Sequence, residues 1–157
     1  MDESFEEHLG KEFTELRQKV FQQLAGEHLA LMLESKRSAY QFLESESVNL
    51  RNAALSVLTS KFDICDDEGI DRLVTFVSNE SDLETRMTAK LTLAQCFAKR
   101  GLQLKARNVL IEVISDESVS SETRVISYNY LVRCLENLDA ELIASVSDID
   151  WKLVEQE

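Results

Sequence analysis

Histidine and cysteine are the residues of this chain best suited to catalysis or metal binding, and their spacing favours neither. His8 and His28 lie on acidic helical segments, outside any HExxH or mixed Cys/His spacing, so a surface or interface role is favoured over a metal site or a general base. The sequence also lacks GxGxxG, GxxxxGK[ST] and GxSxG patterns, the usual signals of phosphate-binding loops and nucleophile elbows. We therefore expect no catalytic residue, no metal and no cofactor.

The three cysteines are odd in number, far apart and without a CxxC pair, which argues against a disulfide framework and a zinc ribbon. Cys96 and Cys134 each fall ten residues after a repeated arginine, so both are predicted to be small buried apolar residues. Cys65 lies in the acidic stretch "DICDDEGID", whose charges oppose thiolate formation and make it a poor nucleophile. That stretch lacks the alternating ligand spacing of an EF-hand, so a chance acidic loop is predicted.

Charge restricts the partners next. The chain has 29 acidic and 17 basic residues and a formal net charge of −12 at pH 7, which argues against binding driven by nucleic-acid phosphates. The segment 86–107 departs from this average, because it holds six basic residues and no acid. This basic island consists of Arg86, Lys90, Lys99, Arg100, Lys105 and Arg107.

Two interpretations of the basic island remain open. It is either a solvated helix face and turn, or a contact surface for an acidic protein or for RNA phosphates. No aromatic residues alternate with its charges as a base-stacking surface would require. Trp151, near the end of the sequence, is likewise predicted either to seal the last helix pair or to serve as a docking point.

Helices must position these residues. The chain has no proline and four glycines, whereas its hydrophobic content of 44% is enough for a substantial core. An arginine recurs at Arg51, Arg86 and Arg124. Residues three, seven and eleven positions later form one helical stripe: Ala54, Leu58 and Phe62; Ala89, Leu93 and Phe97; Ser127, Leu131 and Leu135. We call this repeated element helix B. Its arginine either pairs with the acidic link and neighbouring carbonyls or lines a partner groove.

A second pattern precedes each arginine. Apolar residues at positions i, i+1, i+3 and i+4 in "AYQFL", "LVTFV" and "LIEVI" predict a buried helix, helix A, and "LIASV" at 142–146 begins a fourth copy. The links "ESESVN", "SNESDLET" and "SDESVSSET" are rich in Ser, Asp and Asn, which predicts N-caps for helix B.

Paired helices with this period predict an all-α fold, an α-α superhelix of about four antiparallel helix pairs in a single domain. Residues 5–27 are predicted to be an N-terminal capping helix, and 28–45 the longer first helix A. The repeats cover 28–62, 68–98 and 104–136, followed by a partial repeat at 138–157. The sequence has neither a signal-peptide start nor an apolar stretch of about 20 residues, so we expect a cytoplasmic protein without a membrane segment.

The helix spacing resembles known repeat families. "LAQCFAKRGLQLKARNVLIEVI" is similar to TPR helices. The order of "SVNLRNAALSVLTSKFD" and "LTLAQCFAKRGLQLKARNVLIEVISDESVSSETRVISYNYLVRCLENLDAELIA" resembles the helical part of PCI-domain subunits, most closely the subunit M family of eukaryotic translation initiation factor three, across residues 40–157. The resemblance implies a structural subunit of a large assembly at the small ribosomal subunit. Related subunits of the proteasome lid and the COP9 signalosome share the architecture.

The PCI family follows its helices with a winged-helix module that these 157 residues do not include, so we expect either a fragment or a more general α-solenoid. The expected function is a non-catalytic protein-binding scaffold that binds other protein subunits, with a ribosome- or RNA-associated complex reached through the basic island. The alternatives are a stand-alone HEAT-like adaptor for one partner and a HEAT-like enzyme or lyase subunit. We expect no small-molecule substrate.

Overall fold

The computed structural model describes residues 28–138 and 141–155, and all regular secondary structure within these ranges is helical. The first helix, α1, is described from 28 to 34. The later α-helices are α2 (Lys36–Phe42), α3 (Val48–Ser60), α4 (Asp67–Asn79), α5 (Leu83–Lys99), α6 (Gln103–Ser115), α7 (Ser121–Asn129) and α8 (Trp151–Val154). A π-helix (Tyr130–Leu135) continues α7, and a 3₁₀ turn (Val146–Asp148) precedes α8. The predicted all-α class is confirmed. None of the described helices combines the length and apolar character needed to cross a membrane.

The chain divides into two compact units, Met1–Phe62 and Asp63–Glu157. Within the first unit, α2 packs against α3. Within the second unit, each of α4, α5 and α6 packs against the next helix in the sequence. Neighbours in sequence are therefore neighbours in space, which is the packing that short polar links between helices favour.

The three predicted helices B begin at side-chain N-caps, as the composition of the links indicated. Ser47 accepts the amide of Leu50 at 3.4 Å, and Asp82 accepts the amide of Thr85 at 3.0 Å. Ser120 does the same for the amide of Thr123 at 3.3 Å. Each cap lies four residues before the repeated arginine and satisfies an amide that has no partner within its helix. The predicted N-caps are confirmed.

The helix-B stripe is buried in all three copies. Its small residue, Ala54, Ala89 or Ser127, is 0% exposed, and the two larger residues that follow in each copy are buried except for the half-buried Phe62. The three equivalent arginines are themselves buried or half-buried. Residues 51, 86 and 124 therefore occupy the same position on their respective helices.

The predicted single helix 28–45 was wrong. Ser35 ends α1 and caps α2, because its hydroxyl accepts the amide of Ser38 at 3.1 Å. A serine hydroxyl at this point competes with the helical hydrogen bonds of the backbone, so the long periodic segment is divided in two. The predicted capping helix at 5–27 lies outside the described residues.

The fourth helix A was also wrong, because residues 141–145 are not helical. The side-chain amide of Asn129 donates to the carbonyl of Ile143 at 3.1 Å and accepts its amide at 3.0 Å. These bonds engage the backbone groups that a helix would have used. Leu142, a predicted helix-A core residue, is 65% exposed.

Two predictions about the cysteines were wrong: that they form no disulfide, and that Cys134 is buried. Cys65 and Cys96, 31 residues apart, form a disulfide with Cα atoms 4.8 Å apart. α4 and α5 form a hairpin that brings the start of one helix beside the end of the other, a proximity that sequence spacing does not reveal. Cys96 is buried as predicted. Cys134 is exposed, although Leu131 and Leu135 on either side of it are buried as predicted.

Candidate functional site

A groove of about 440 Å³ lies between the first turns of α5 and the link that joins α6 to α7. Its apolar lining consists of Leu83, Met87 and Leu91, which are spaced by four residues along one face of α5, and of Val119 in the link. Met87 and Val119 are buried and pack with Val113 of α6. The floor of the groove is therefore continuous with the core, which fixes its shape.

The rim of the groove is polar and negatively charged. Glu84 in the first turn of α5 and Glu122 in the first turn of α7 are exposed carboxylates that line it. Both also complement the positive end of their helix dipoles. Four hydroxyl residues complete the lining: Thr88, Ser118, Ser120 and Thr123. An apolar floor with an acidic rim suits a ligand that is apolar in the middle and basic at its edges.

The link that forms one wall of the groove is held by its own side chains. Asp116 accepts the hydroxyl of Ser118 at 2.5 Å and its amide at 2.9 Å. These two bonds, the hydroxyl first, lower the pKa of the Asp116 carboxyl below its usual range, and the positive charges of Lys90 and Arg86 lower it further. Asp116 is therefore a carboxylate at neutral pH. The wall is ordered before any partner arrives, which reduces the entropy lost on binding.

The structure distributes the basic island over both ends of α5 rather than over one surface. Arg86 near the beginning of α5 and Arg100 just after its end are separated along the axis by about 20 Å. Lys90 forms an ion pair with Glu112 of α6 at 3.5 Å. Arg100 forms one with Asp67 at 2.6 Å and donates to the carbonyl of Cys65 at 3.2 Å.

Arg107 of the basic island has a structural role. Its Nε bonds Glu136 at 2.7 Å, and its Nη2 donates at 3.3 Å to the carbonyls of both Leu153 and Val154. Only 17% of its side chain is exposed. Arg107 therefore binds the end of α8 to α6.

The turn between α5 and α6 is the part of the basic island that remains open to solvent. We call residues 99–105 the basic tip; it contains the exposed basic residues Lys99, Arg100 and Lys105. Leu102 is 41% exposed and Leu104 is 70% exposed. The charges of the tip are evident from the sequence, whereas the exposure of its leucines was not predicted. Both leucines precede the helix-A pattern, which begins at Leu110, and this position could have indicated that they are not part of the core.

The repeated arginines bind main-chain carbonyls in the first and third copies. Arg51 donates from Nη1 to the carbonyls of Ser45 and Glu46 at 2.9 and 3.1 Å. Arg124 is 9% exposed and donates from Nε to the carbonyl of Ile114 at 2.8 Å. Both sets of bonds join helix B to the end of the preceding helix A or to the link that follows it. Of the two roles considered for the repeated arginine, these bonds fit pairing with neighbouring carbonyls. In the second copy, Arg86 is half-buried and lies close enough to Asp116 to lower its pKa.

The remaining predicted site residues do not form a reaction centre. Trp151 begins α8 and is 38% exposed. The ring of His28 packs edge-on against Phe42 with centroids 5.5 Å apart, and His8 lies outside the described residues. No group of three or more His, Cys, Asp or Glu side chains is arranged to hold a metal ion within 28–138 and 141–155.

In comparisons with known proteins, no protein family, no curated protein and no solved structure matches this chain.

Proposed function

We propose that the chain is a non-catalytic protein-binding scaffold built as an α-solenoid of helix pairs. The repeated construction of α3, α5 and α7 supports this proposal, since each has a cap, an arginine and a buried stripe in the same register. Helix pairs of this kind stack because one pair alone cannot bury its apolar side. Stacking of successive helices B leaves grooves between them, and the groove between α5 and α7 is the proposed binding site.

The proposed partner is a protein segment that carries apolar side chains flanked by lysine or arginine. The observation that carries this assignment is the combination of an apolar floor, Leu83, Met87, Leu91 and Val119, with two rim carboxylates. The net charge of −12 favours the same partner, because it accelerates encounters with a basic segment and repels acidic ones.

A narrower version makes the chain a structural subunit of a cytoplasmic multisubunit assembly, such as a translation initiation factor complex. It rests on the resemblance in helix order and spacing. The Cys65–Cys96 disulfide weighs against it, because cytosolic proteins seldom keep disulfides. Purification of the tagged chain under thiol-alkylating conditions tests both the proposed assembly and the oxidation state of Cys65 and Cys96. Ribosomal or initiation-factor proteins should co-purify, and their absence would eliminate this version while leaving the binding proposal intact.

The groove itself can be tested with defined peptides. The probes are three twelve-residue peptides that share one alternation of charged and uncharged positions. The first is composed of lysine and leucine, the second of glutamate and leucine, and the third of lysine and serine. We expect the lysine–leucine peptide to bind most tightly in isothermal titration calorimetry. The variant Glu84→Lys/Glu122→Lys should weaken that binding at least about 10-fold, which corresponds to about 1.4 kcal/mol.

The matched control is Glu44→Lys/Glu46→Lys, which makes the same change in net charge at two exposed residues outside the groove. It should retain most of the affinity. Equal weakening by both variants would show that overall charge rather than the groove binds the peptide. Preference for the glutamate–leucine peptide would contradict the assigned partner chemistry.

A further inference from the structure

We propose that the basic tip of one copy of this chain docks in the groove of a second copy, so that the copies associate head to tail. This inference rests on the partner chemistry proposed for the groove. It goes beyond that proposal because the sequence of the chain itself contains a segment with the required chemistry, "KRGLQLK" at residues 99–105.

The tip presents apolar and basic groups together. Leu104, at 70%, is the most exposed of the large hydrophobic residues in the described ranges, and Leu102 lies two residues before it. Lys99 and Lys105 lie on either side of these leucines in the sequence, and both are exposed. Exposed leucines between lysines match the apolar floor and acidic rim of the groove in chemistry.

The backbone of the tip suits insertion into a concave site. Gly101 has φ of +73°, which closes a tight turn after α5, and a Cβ built on it would meet no atom within 4 Å. The turn is therefore narrow and uncrowded. The hydrogen bond from Leu102 to the carbonyl of Phe97 at 2.8 Å, together with that from Gly101 to Ala98 at 3.1 Å, fixes its shape before docking.

The tip and the groove of one copy lie at opposite ends of α5. The groove extends along α5 from Leu83 to Leu91 and the tip begins at Lys99, so about 12 Å of continuous helix separates their nearest points. A tip therefore reaches the groove of another copy rather than its own. Each contact leaves one tip and one groove unused, and this arrangement propagates into longer assemblies.

The expected association is weak. A single turn in a small groove buries less surface than a stable dimer needs, and a net charge of −12 on each copy opposes the approach. We expect a dissociation constant between about 1 µM and about 1 mM at about 0.15 M salt. Sedimentation equilibrium of the full chain over that concentration range is the primary measurement.

Two charge-reversal variants test the contact from its two sides. Lys99→Glu/Lys105→Glu alters the tip and makes the net charge more negative, whereas Glu84→Lys/Glu122→Lys alters the groove and makes it less negative. We expect each variant to weaken self-association at least about 10-fold. An effect of net charge alone predicts opposite directions for the two variants. An equimolar mixture should regain association, because the unaltered tip of the groove variant then meets the unaltered groove of the tip variant.

The Glu44→Lys/Glu46→Lys variant is the control and should associate as the original chain does. Circular dichroism checks that each variant keeps its helical content, and Lys99→Gln/Lys105→Gln replaces the tip variant if folding fails. The inference is overturned if the original chain stays monomeric up to about 1 mM, or if association persists in both reversed variants. A monomeric chain whose groove still binds the lysine–leucine peptide would overturn this inference alone, whereas loss of both results would remove the proposed function as well.

Discussion

Several arginine side chains among the described residues donate hydrogen bonds to main-chain carbonyls. Arg51, Arg107 and Arg124 each donate to carbonyl groups at or just beyond the end of another helical segment. The last carbonyls of a helix have no partner within it, so a guanidinium group from a neighbouring element can satisfy them and join two elements at once. These contacts give the three arginines a role in packing between elements.

Replacement of Arg124 by Met should destabilise the protein by about 1 to 3 kcal/mol. Methionine keeps much of the apolar stem but removes the 2.8 Å bond from Nε, which leaves the carbonyl of Ile114 unsatisfied at a buried position. Urea denaturation followed by circular dichroism measures the loss. The exposed Arg37→Met is the control, with an expected change within about 0.5 kcal/mol. Equal effects of the two substitutions would contradict the role given to Arg124.

At the scale of secondary-structure elements, the sequence specifies the first residue of each helix most directly. Each helix B has its cap four residues before the arginine and its small residue three after it, so a local pattern of eight residues determines where the helix begins and which side is buried. These features could be predicted because capping and helical periodicity depend on neighbours in the chain. The break at Ser35 could not, since the surrounding apolar periodicity continues across it.

Gly69 shows how packing between elements limits a helix start. It lies in the first turn of α4, where its amide bonds Asp66 at 2.8 Å. A Cβ at this position would lie 2.9 Å from the Cα of Ile64 and closer still to the Ile64 carbonyl. Gly69→Ala should therefore destabilise the protein by about 1 to 3 kcal/mol, although alanine is the better helix former by about 1 kcal/mol.

Thermal unfolding measures this effect, with the exposed Thr75→Ala on the same helix as its control. The control should change the stability by less than about 0.5 kcal/mol. A Gly69→Ala protein with unchanged or raised stability would show that the backbone around Ile64 can move away.

At the scale of the whole molecule, the features that sequence reasoning missed are contacts between distant segments. Three features depend on which segments lie next to each other: the disulfide, the hydrogen bonds between Asn129 and Ile143, and the separation of the basic island into two ends of α5. Hydrophobic periodicity predicts which side of each helix is buried, but it does not predict which distant segment contacts the end of that helix. The groove belongs to the same class, because its walls come from α5 and from a link about 30 residues later.

Reduction of the Cys65–Cys96 disulfide should lower the stability of the protein by about 3 to 4 kcal/mol. The bond closes a loop of about 30 residues, and opening it returns conformational entropy to the unfolded chain. Calorimetry with and without dithiothreitol measures the change. The double variant Cys65→Ser/Cys96→Ser should reproduce the loss of stability and should no longer respond to reductant. The control Cys134→Ser should keep the stability of the original chain and its response to reductant. An unchanged melting temperature on reduction would contradict this contribution.

The segment 141–155 is bound to the rest of its unit by side chains: Asn129 on Ile143, the hydroxyl of Tyr128 on the amide of Asp150, and Arg107 on the end of α8. The segment thus behaves as a tethered ligand. Because the segment belongs to the same chain, a free peptide with the sequence of residues 141–155 must compete with an intramolecular contact, and it should displace the segment only at concentrations far above its own dissociation constant for the vacated site.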